Sequence, residues 1–423
     1  MSSGIQSLAV VLFSVPTIGG AFAYSEAVVR ALALGRPEQT VVHAVCLNPE
    51  WGKLAARLGL PVTECREYPV PIRKLRRLLL LTGNVALWRL LAPNLSPIHR
   101  TLSRLKVDLA LFPCEPHLCL DSPMPALAPI HDLMYHYEAQ FPEVGAWRKR
   151  HARRILDGLV LKQAARVLVD SDVGADQVAE LFPGYEGKPF RLPYISMRQP
   201  PANGGGPDPL PTEIPEKFLF YPAQFWLHKN HLGLISAVER LKRDGLRIHV
   251  VCCGSDKNSR AEVVTRLREA GLTDQFTLLG FVPDELLCRL YQRACGLIMP
   301  TFFGPTNIPP LEAMQLGCPV AVSGIYGMRE QLGDAALYFD PRDPADIART
   351  VRSLWTDESV RRRLIAAGHL RAAAGSLDAF ARGLWDACGQ VGRPGPSSAT
   401  APPAFRPHAA TAGTHDSINF NGP

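Results

Sequence analysis

Short apolar runs of strand length alternate with helix-length amphipathic stretches along nearly the whole chain, and no other feature restricts the fold as much. The first series reads as strand 7–15, a loop from Pro16 to Gly20, helix 22–34, strand 40–47 and helix 50–58. It continues with strand 107–112, a strand near 126–131, helix 147–164 and strand 166–170. Strands this short and this apolar are buried on both faces, which calls for a parallel sheet sandwiched between helices. From Gln199 to Pro211, eight of thirteen residues are Gly or Pro, so neither a helix nor an interior strand can persist there. A second series follows, with strands at 217–221, 247–252, 276–279, 296–299, 319–323 and 336–339. Its helices fall at 231–243, 259–270, 284–293, 309–316, 343–355, 358–373 and 376–389. Two Rossmann-like α/β units facing across a cleft are therefore expected, with ligands at the carboxyl ends of their strands. The predicted boundaries are 1–198 for the first domain, 199–211 for a linker, 212–375 for the second domain and 376–390 for a C-terminal helix. In 391–423 ten of the 33 residues are Gly or Pro and periodicity is lost, which reads as a disordered tail.

Composition narrows the class further. Of the 423 residues 47% are hydrophobic and 20% charged, and mean hydropathy is +0.01, values that exclude a disordered or collagenous chain. No run of 18 apolar residues occurs, so no membrane span is expected. The stretch Leu8–Val15 followed by Ala21-Phe22-Ala23 imitates a signal sequence, but no Lys or Arg precedes it, and it reads as a buried first strand. Ten cysteines are scattered without a Cys-x2-Cys pair, the usage of a reducing, cytoplasmic compartment.

The net charge of +7 is unevenly spread. Residues 1–211 hold 23 basic against 18 acidic groups, and Arg73 to Lys106 holds eight basic residues and no acid. Within it Arg76 and Arg77 interleave with Leu78 to Leu81, Leu87, Trp88, Leu90 and Leu91, and Trp147-Arg148-Lys149-Arg150 with Arg153 and Arg154 forms a second cluster. An anionic membrane surface at the inner face of the plasma membrane is the expected partner, against the plainer reading of a solvated helix face. No nucleic-acid motif accompanies the charge.

The most informative motif runs from Pro300 to Met314, Pro-Thr-Phe-Phe-Gly-Pro-Thr-Asn-Ile-Pro-Pro-Leu-Glu-Ala-Met. It reads as a strand end, a Gly-Pro turn and a helix whose first turn takes Pro309, Pro310 and Glu312, with Gly317 as its C-terminal stop. A loop feeding a helix N-terminus can hold an anion, although a well-capped core helix would look the same. Elsewhere, Lys229 sits in Trp226-Leu227-His228-Lys229-Asn230-His231, too dense in polar groups for an ordinary solvated lysine. His228 and His231 lack a third ligand nearby, so no metal is expected. His131-Asp132 fits either a site histidine or a helix cap beside a satisfied buried imidazole.

Taken in order, Pro222 to His231, Leu279-Gly280-Phe281-Val282-Pro283-Asp284, Ile308 to Glu312, Gly317-Cys318-Pro319-Val320 and Gly333 to Pro341 closely resemble the donor-binding domain of one large enzyme group. These are the retaining nucleotide-sugar glycosyltransferases of family four, which have the GT-B fold. The N-terminal half resembles it more loosely, through Gly19-Gly20, Ile130-His131-Asp132-Leu133 and Val167 to Ser171. The resemblance implies His131, Lys229 and Glu312 as catalytic residues: Lys229 on the donor diphosphate, Glu312 on the ribose, His131 near the transferred sugar. It further implies Gly280, Phe281 and Val282 against the base, the amides of Thr306, Asn307 and Ile308 toward sugar and phosphate, and Gly19 and Gly20 close to the diphosphate. Two positions depart from the pattern. Gly304 stands where a sugar-touching glutamate is usual and Gln224 where an arginine is usual, which removes two charge-assisted contacts and points to altered donor handling.

The implied reaction is transfer of a sugar, with retention and without metal or cofactor, from a UDP- or GDP-linked donor to a carbohydrate or lipid-linked acceptor in bacterial surface polysaccharide or glycolipid synthesis. An epimerase or phosphorylase on the same fold stays open, as does a non-catalytic nucleotide-sugar binder suggested by Gly304 and Gln224. A nicotinamide dehydrogenase is disfavoured, since no Gly-x-Gly-x-x-Gly follows a strand.

Overall fold

A computed structural model describes residues 5–14, 20–198 and 210–391. Gly19, most of the expected linker and the expected tail beyond residue 391 lie outside the described residues.

The first sheet contains β1 (Ser7–Leu12), β2 (Val41–Cys46), β3 (Val62–Glu64), β4 (Leu109–Leu111), β5 (Ala126–Pro129), β6 (Arg166–Val169) and β7 (Pro189–Arg191). The second contains β8 (Leu219–Pro222), β9 (Val250–Cys253), β10 (Phe276–Leu278), β11 (Gly296–Met299), β12 (Val320–Ser323) and β13 (Ala336–Phe339). Their spatial orders are β3-β2-β1-β4-β5-β6-β7 and β10-β9-β8-β11-β12-β13, with parallel pairing in both. The two parallel α/β sheets expected from the alternation are present. Central strands such as Leu8–Leu12 are buried on both faces, which is why they read as continuous apolar runs. Strands β3 and β7 carry no sequence signal, being three-residue edges of composition VTE and PFR. In both sheets the strand order reverses in the middle, between β1 and β4 and between β8 and β11, and such reversals open the crevice where ligands of this sheet type sit.

The basic, apolar stretch forms the helices Val70–Leu81, Val85–Leu95 and Pro97–Leu105, and they correct the surface reading at several positions. Arg76, Leu79 and Leu80 share one face of the first helix and are buried, because residues three and four apart stack on the same side. Arg76 is not a surface cation: its guanidinium meets Asp121 at 2.6 Å and the His117 carbonyl at 2.7 Å. Trp88 is also core, its indole N–H donating to the other Asp121 oxygen at 2.7 Å. In the second cluster, Arg153 pairs with Asp132 and Arg154 donates to the Leu181 carbonyl. Most of the two clusters stays exposed: Arg73, Lys74, Leu75, Arg77, Leu78, Leu87, Arg89, Leu90, Arg100, Arg104 and Lys106 in the first, and Trp147, Arg148, Lys149 and, despite their contacts, Arg153 and Arg154 in the second.

The last described helix, Leu377–Gly389, returns to the first sheet's side. Phe380, Leu384, Trp385 and Cys388 share a core with Leu8, Val28 and Leu32, and Gly35 lets Trp385 approach so closely that a Cβ would lie 2.9 Å from its ring. The chain thus leaves the first domain through residues 192–198 and re-enters it near Gly375, where the two crossings lie side by side, Ile195 Cγ2 falling 4.0 Å from a Cβ built on Gly375.

Candidate active site

The loops after β8 and β11 flank the second sheet's reversal, and they carry the residues singled out in the sequence. After β8 the chain turns through Leu227–Lys229 into Asn230, whose backbone is left-handed (φ 56°), a conformation asparagine tolerates better than most residues. Asn230 caps the following helix by accepting from the Gly233 N–H at 3.0 Å. Its amide donates to the Pro300 and Pro341 carbonyls at 3.0 and 2.8 Å, which ties the Lys229 turn to the end of β11. The Tyr221 hydroxyl donates to the Lys229 carbonyl at 2.6 Å.

With its backbone so fixed, the Lys229 ammonium makes no ion pair or hydrogen bond among the described residues. Burial pushes its pKa down to about 8, with the Glu143 charge acting in the opposite direction. A desolvated cation without a partner is poised for an anion. His231 stacks on Phe225 at 4.5 Å and His228 on Phe303 at 4.0 Å. Among the described residues no group of three or more His, Cys, Asp or Glu is arranged to hold a metal ion.

Across the cleft the first domain inserts Phe141 and Glu143. Glu143 Oε1 accepts from the His228 backbone N–H at 2.7 Å and its ring N–H at 2.6 Å, while Oε2 accepts from Asn258 at 2.9 Å. Burial alone would raise the Glu143 pKa, but these donors hold it below the usual value. Burial and then the Lys229 charge push His228 down to about 4, so the imidazole is neutral at physiological pH. Phe141 packs on Phe302 and Phe303 at 5.3 and 5.4 Å. Further contacts between the domains join Thr306 to Asp170, Tyr326 to Glu138 and Glu330 to Arg191 at 2.6 Å.

The helix Ile308–Gln315 begins at the reversal with its two prolines just inside its start. Glu312 lies beyond the first turn rather than in it, because the helix opens at Ile308. Its carboxylate is largely buried, with Oε1 on Arg198 Nε at 3.0 Å and Oε2 accepting from the Tyr291 hydroxyl at 2.8 Å. Gly317 ends the helix with φ 75°, as its place in the sequence suggests. Of the three amides expected to face the donor, that of Asn307 is already engaged by Gln331 Oε1 at 3.1 Å. Gly304 has φ 128°, a glycine conformation in which a glutamate side chain would strain the turn. The departure at 304 is thus built into the backbone, not only into the side chain.

From the first domain, a Cβ on Gly20 would lie 3.7 Å from Ile308 Cδ1, which brings these two candidates together; Gly20 opens the helix Gly20–Leu34 instead of ending a loop. His131 is half-buried with both ring nitrogens in use: Nδ1 accepts from the Tyr194 hydroxyl at 2.8 Å, and Nε2 donates to the Pro113 carbonyl at 3.1 Å. Burial lowers its pKa, so it stands as a neutral, fully partnered imidazole. On the far side, Gly280 (φ 69°) is followed by Phe281, 80% exposed, and the buried Val282. Gln224 Oε1 accepts from the Trp226 indole at 2.9 Å and is turned to its own loop. Phe141, Glu143, Tyr194 and Arg198 carry no sequence signal; the first two sit at a single 3-10 turn, Pro142–Val144, and the others in an irregular segment, where residue type reveals no partner.

Solved structures with two parallel sheets in this arrangement place the fold class as GT-B. Anabaena HepE in complex with UDP and glucose superposes over 90% of this chain and 98% of its own, at a TM-score of 0.65 and 14% identity. At that identity the likeness is one of fold. The sequence profile described as Glycosyl transferases group 1 matches residues 209–371, within the second domain. The O-antigen chain mannosyltransferase B of Escherichia coli is 32% identical over 141 residues, 33% of this chain and 37% of the relative. This chain therefore spans little more than a third of that relative's length. The 2-deoxystreptamine glucosyltransferase of Streptomyces kanamyceticus is 26% identical over 333 residues, covering 77% of this chain and 78% of the relative.

Proposed function

We propose that the chain is a retaining, metal-independent hexosyltransferase that moves a sugar from a UDP- or GDP-linked donor to an acceptor hydroxyl in surface polysaccharide or glycolipid assembly. The observation that carries this reading is the half-buried Lys229 ammonium, without an ion-pair or hydrogen-bond partner among the described residues, in the loop after β8 at the strand-order reversal, where the helix Ile308–Gln315 also begins. Departure of a nucleoside diphosphate develops negative charge, and a fixed cation beside a helix N-terminus stabilises that charge in a site shielded from water. Glu312 holds the ribose through the capacity its two oxygens retain, since a carboxylate offers about four acceptor positions. Retention follows a front-face course in which a donor phosphate oxygen takes the acceptor proton; no side chain is assigned as a covalent nucleophile. Related proteins named for mannosyl and glucosyl transfer support a hexose, and a UDP complex of a structural neighbour supports the donor class.

The test is turnover. Lys229→Ala and Glu312→Ala should each lose most nucleoside diphosphate release while keeping the wild-type circular dichroism spectrum. Wild-type rates in either variant would remove this site assignment. Incubating donor alone and analysing the products separates transfer from epimerisation.

The acceptor side points to a membrane. Arg73, Lys74 and Arg77 with the exposed Leu75, Leu78 and Leu90 form a basic, apolar surface, suited to anionic lipid and a lipid-linked acceptor at the inner face. Co-sedimentation with anionic vesicles should fall on neutralising the three cations and weaken with salt; salt-independent binding, or none, would count against it.

A further inference from the structure

One short segment touches candidate residues of both domains. Residues 192–198 leave the first sheet where the Leu192 N–H donates to the Val169 carbonyl at 2.7 Å, and Ile195 is buried in the first domain's core. Between these anchors Tyr194 donates its hydroxyl to His131 Nδ1, which leaves the ring proton on Nε2, toward Pro113. Four residues later, at most about 14 Å along an extended chain, Arg198 meets Glu312 of the second domain through Nε at 3.0 Å. Its Nη1 meets Asp284 at 3.1 Å, and its backbone N–H donates to Ser196 Oγ at 3.1 Å, fixing the turn from which the side chain departs. Asp284 opens the helix directly after Gly280-Phe281-Val282. The Arg198 guanidinium therefore bridges the end of the candidate base wall and the candidate ribose carboxylate.

Resting on the donor-site reading above, we propose that residues 192–198 form a positioning strap between the domains, in which Tyr194 orients His131 and Arg198 orients Glu312 for the nucleotide. Glu312 lies on a helix of the second domain, but the cation that offsets its burial comes from the segment leaving the first. Without that cation the carboxylate is a buried charge left with the Tyr291 hydroxyl on Oε2, and it no longer has a fixed aim. Arg198 thus makes the ribose contact depend on how the first domain is seated. It is a positioning residue because it acts through Glu312.

The experiment is titration calorimetry of the full chain with UDP and GDP, with thermal melting as the check on folding. With whichever nucleotide the wild type binds, Arg198→Met should weaken affinity about tenfold or more, the scale of one charge-assisted contact. Arg198→Lys, which keeps the charge but not the fork, should recover part of that loss. Adding Arg198→Met to Glu312→Gln should cost little beyond Glu312→Gln alone, because both changes remove one pathway. Tyr194→Phe should leave nucleotide affinity within about twofold and lower kcat. Unchanged or tighter binding by Arg198→Met, or full additivity with Glu312→Gln, would overturn the strap while leaving the donor site intact; tighter binding would mark Arg198 as a plug. Failure of the wild type to bind either nucleotide would sink the donor-site reading and the strap with it.

Discussion

Lys229 couples protonation to both stability and binding, with opposite signs. Burial pushes its pKa to about 8 against an ordinary 10.5, so between those values the unfolded chain keeps a proton that the folded chain has released. Stability of the ligand-free chain should therefore rise with pH across that window through this group. Diphosphate binding should weaken as pH rises through about 8, because the neutral amine no longer attracts the anion, although bound phosphate itself favours the charged form and moves the midpoint upward. Urea unfolding and nucleotide titrations at pH 7 to 10 check both slopes, and Lys229→Met should flatten both. Lys229 was legible in the sequence from its dense polar neighbours. Its lack of a partner was not, since that depends on Glu143 being bound by His228 and Asn258 rather than by the lysine. Arg198 was illegible for a related reason: beside a Gly/Pro-rich stretch an arginine reads as solvated, and only the fold shows Glu312 and Asp284 waiting for it.

Helices Val70–Leu81 and Val85–Leu95 illustrate how composition misleads when it is read without periodicity. The run of eight basic residues suggested one cationic surface, yet the helical repeat turns Arg76 inward with Leu79 and Leu80, and Asp121 neutralises it beneath Trp88. Removing one partner of such a buried pair leaves an unpaired charge at a cost of about 3–5 kcal/mol. Asp121→Asn and Arg76→Met should each lower denaturation free energy by roughly that amount, whereas neutralising the exposed Arg73, Lys74 and Arg77 should change it little. The helix Ile308–Gln315 was legible almost completely, from its prolines to the Gly317 stop, because caps and breakers are local signals. The edge strands β3 and β7 were not, because three residues pairing on one side carry no period.

Between the domains, the Phe141–Glu143 segment joins the two units and supplies the charge that acts on Lys229. Glu143→Gln removes a negative charge that raises the lysine pKa, so the pH midpoint of diphosphate binding should shift downward relative to wild type. Phe141→Ala with Glu143→Ala should also enlarge the radius of gyration in small-angle scattering, since the loop loses its aromatic packing and three hydrogen bonds. Exchange of the first domain with that of a relative should change acceptor use while leaving donor choice alone. The exchanged unit must carry the helix Leu377–Gly389 with it, because Phe380, Leu384 and Trp385 complete the first domain's core; a chimera exchanging 1–198 alone should melt lower than one that includes the helix. By itself the sequence determined the two parallel sheets and the loops at their strand ends, because alternation, turn residues and caps act over a few residues, while Lys229 and Glu312 became candidates through the motifs that resemble the glycosyltransferase group. Only the tertiary structure decided that Arg76 is core, that His131 is fully partnered, that the last helix returns to the first domain and that Arg198 and Glu143 reach across the cleft. Each of those depends on what distant segments bring within a few ångströms, and residue type alone does not encode that distance.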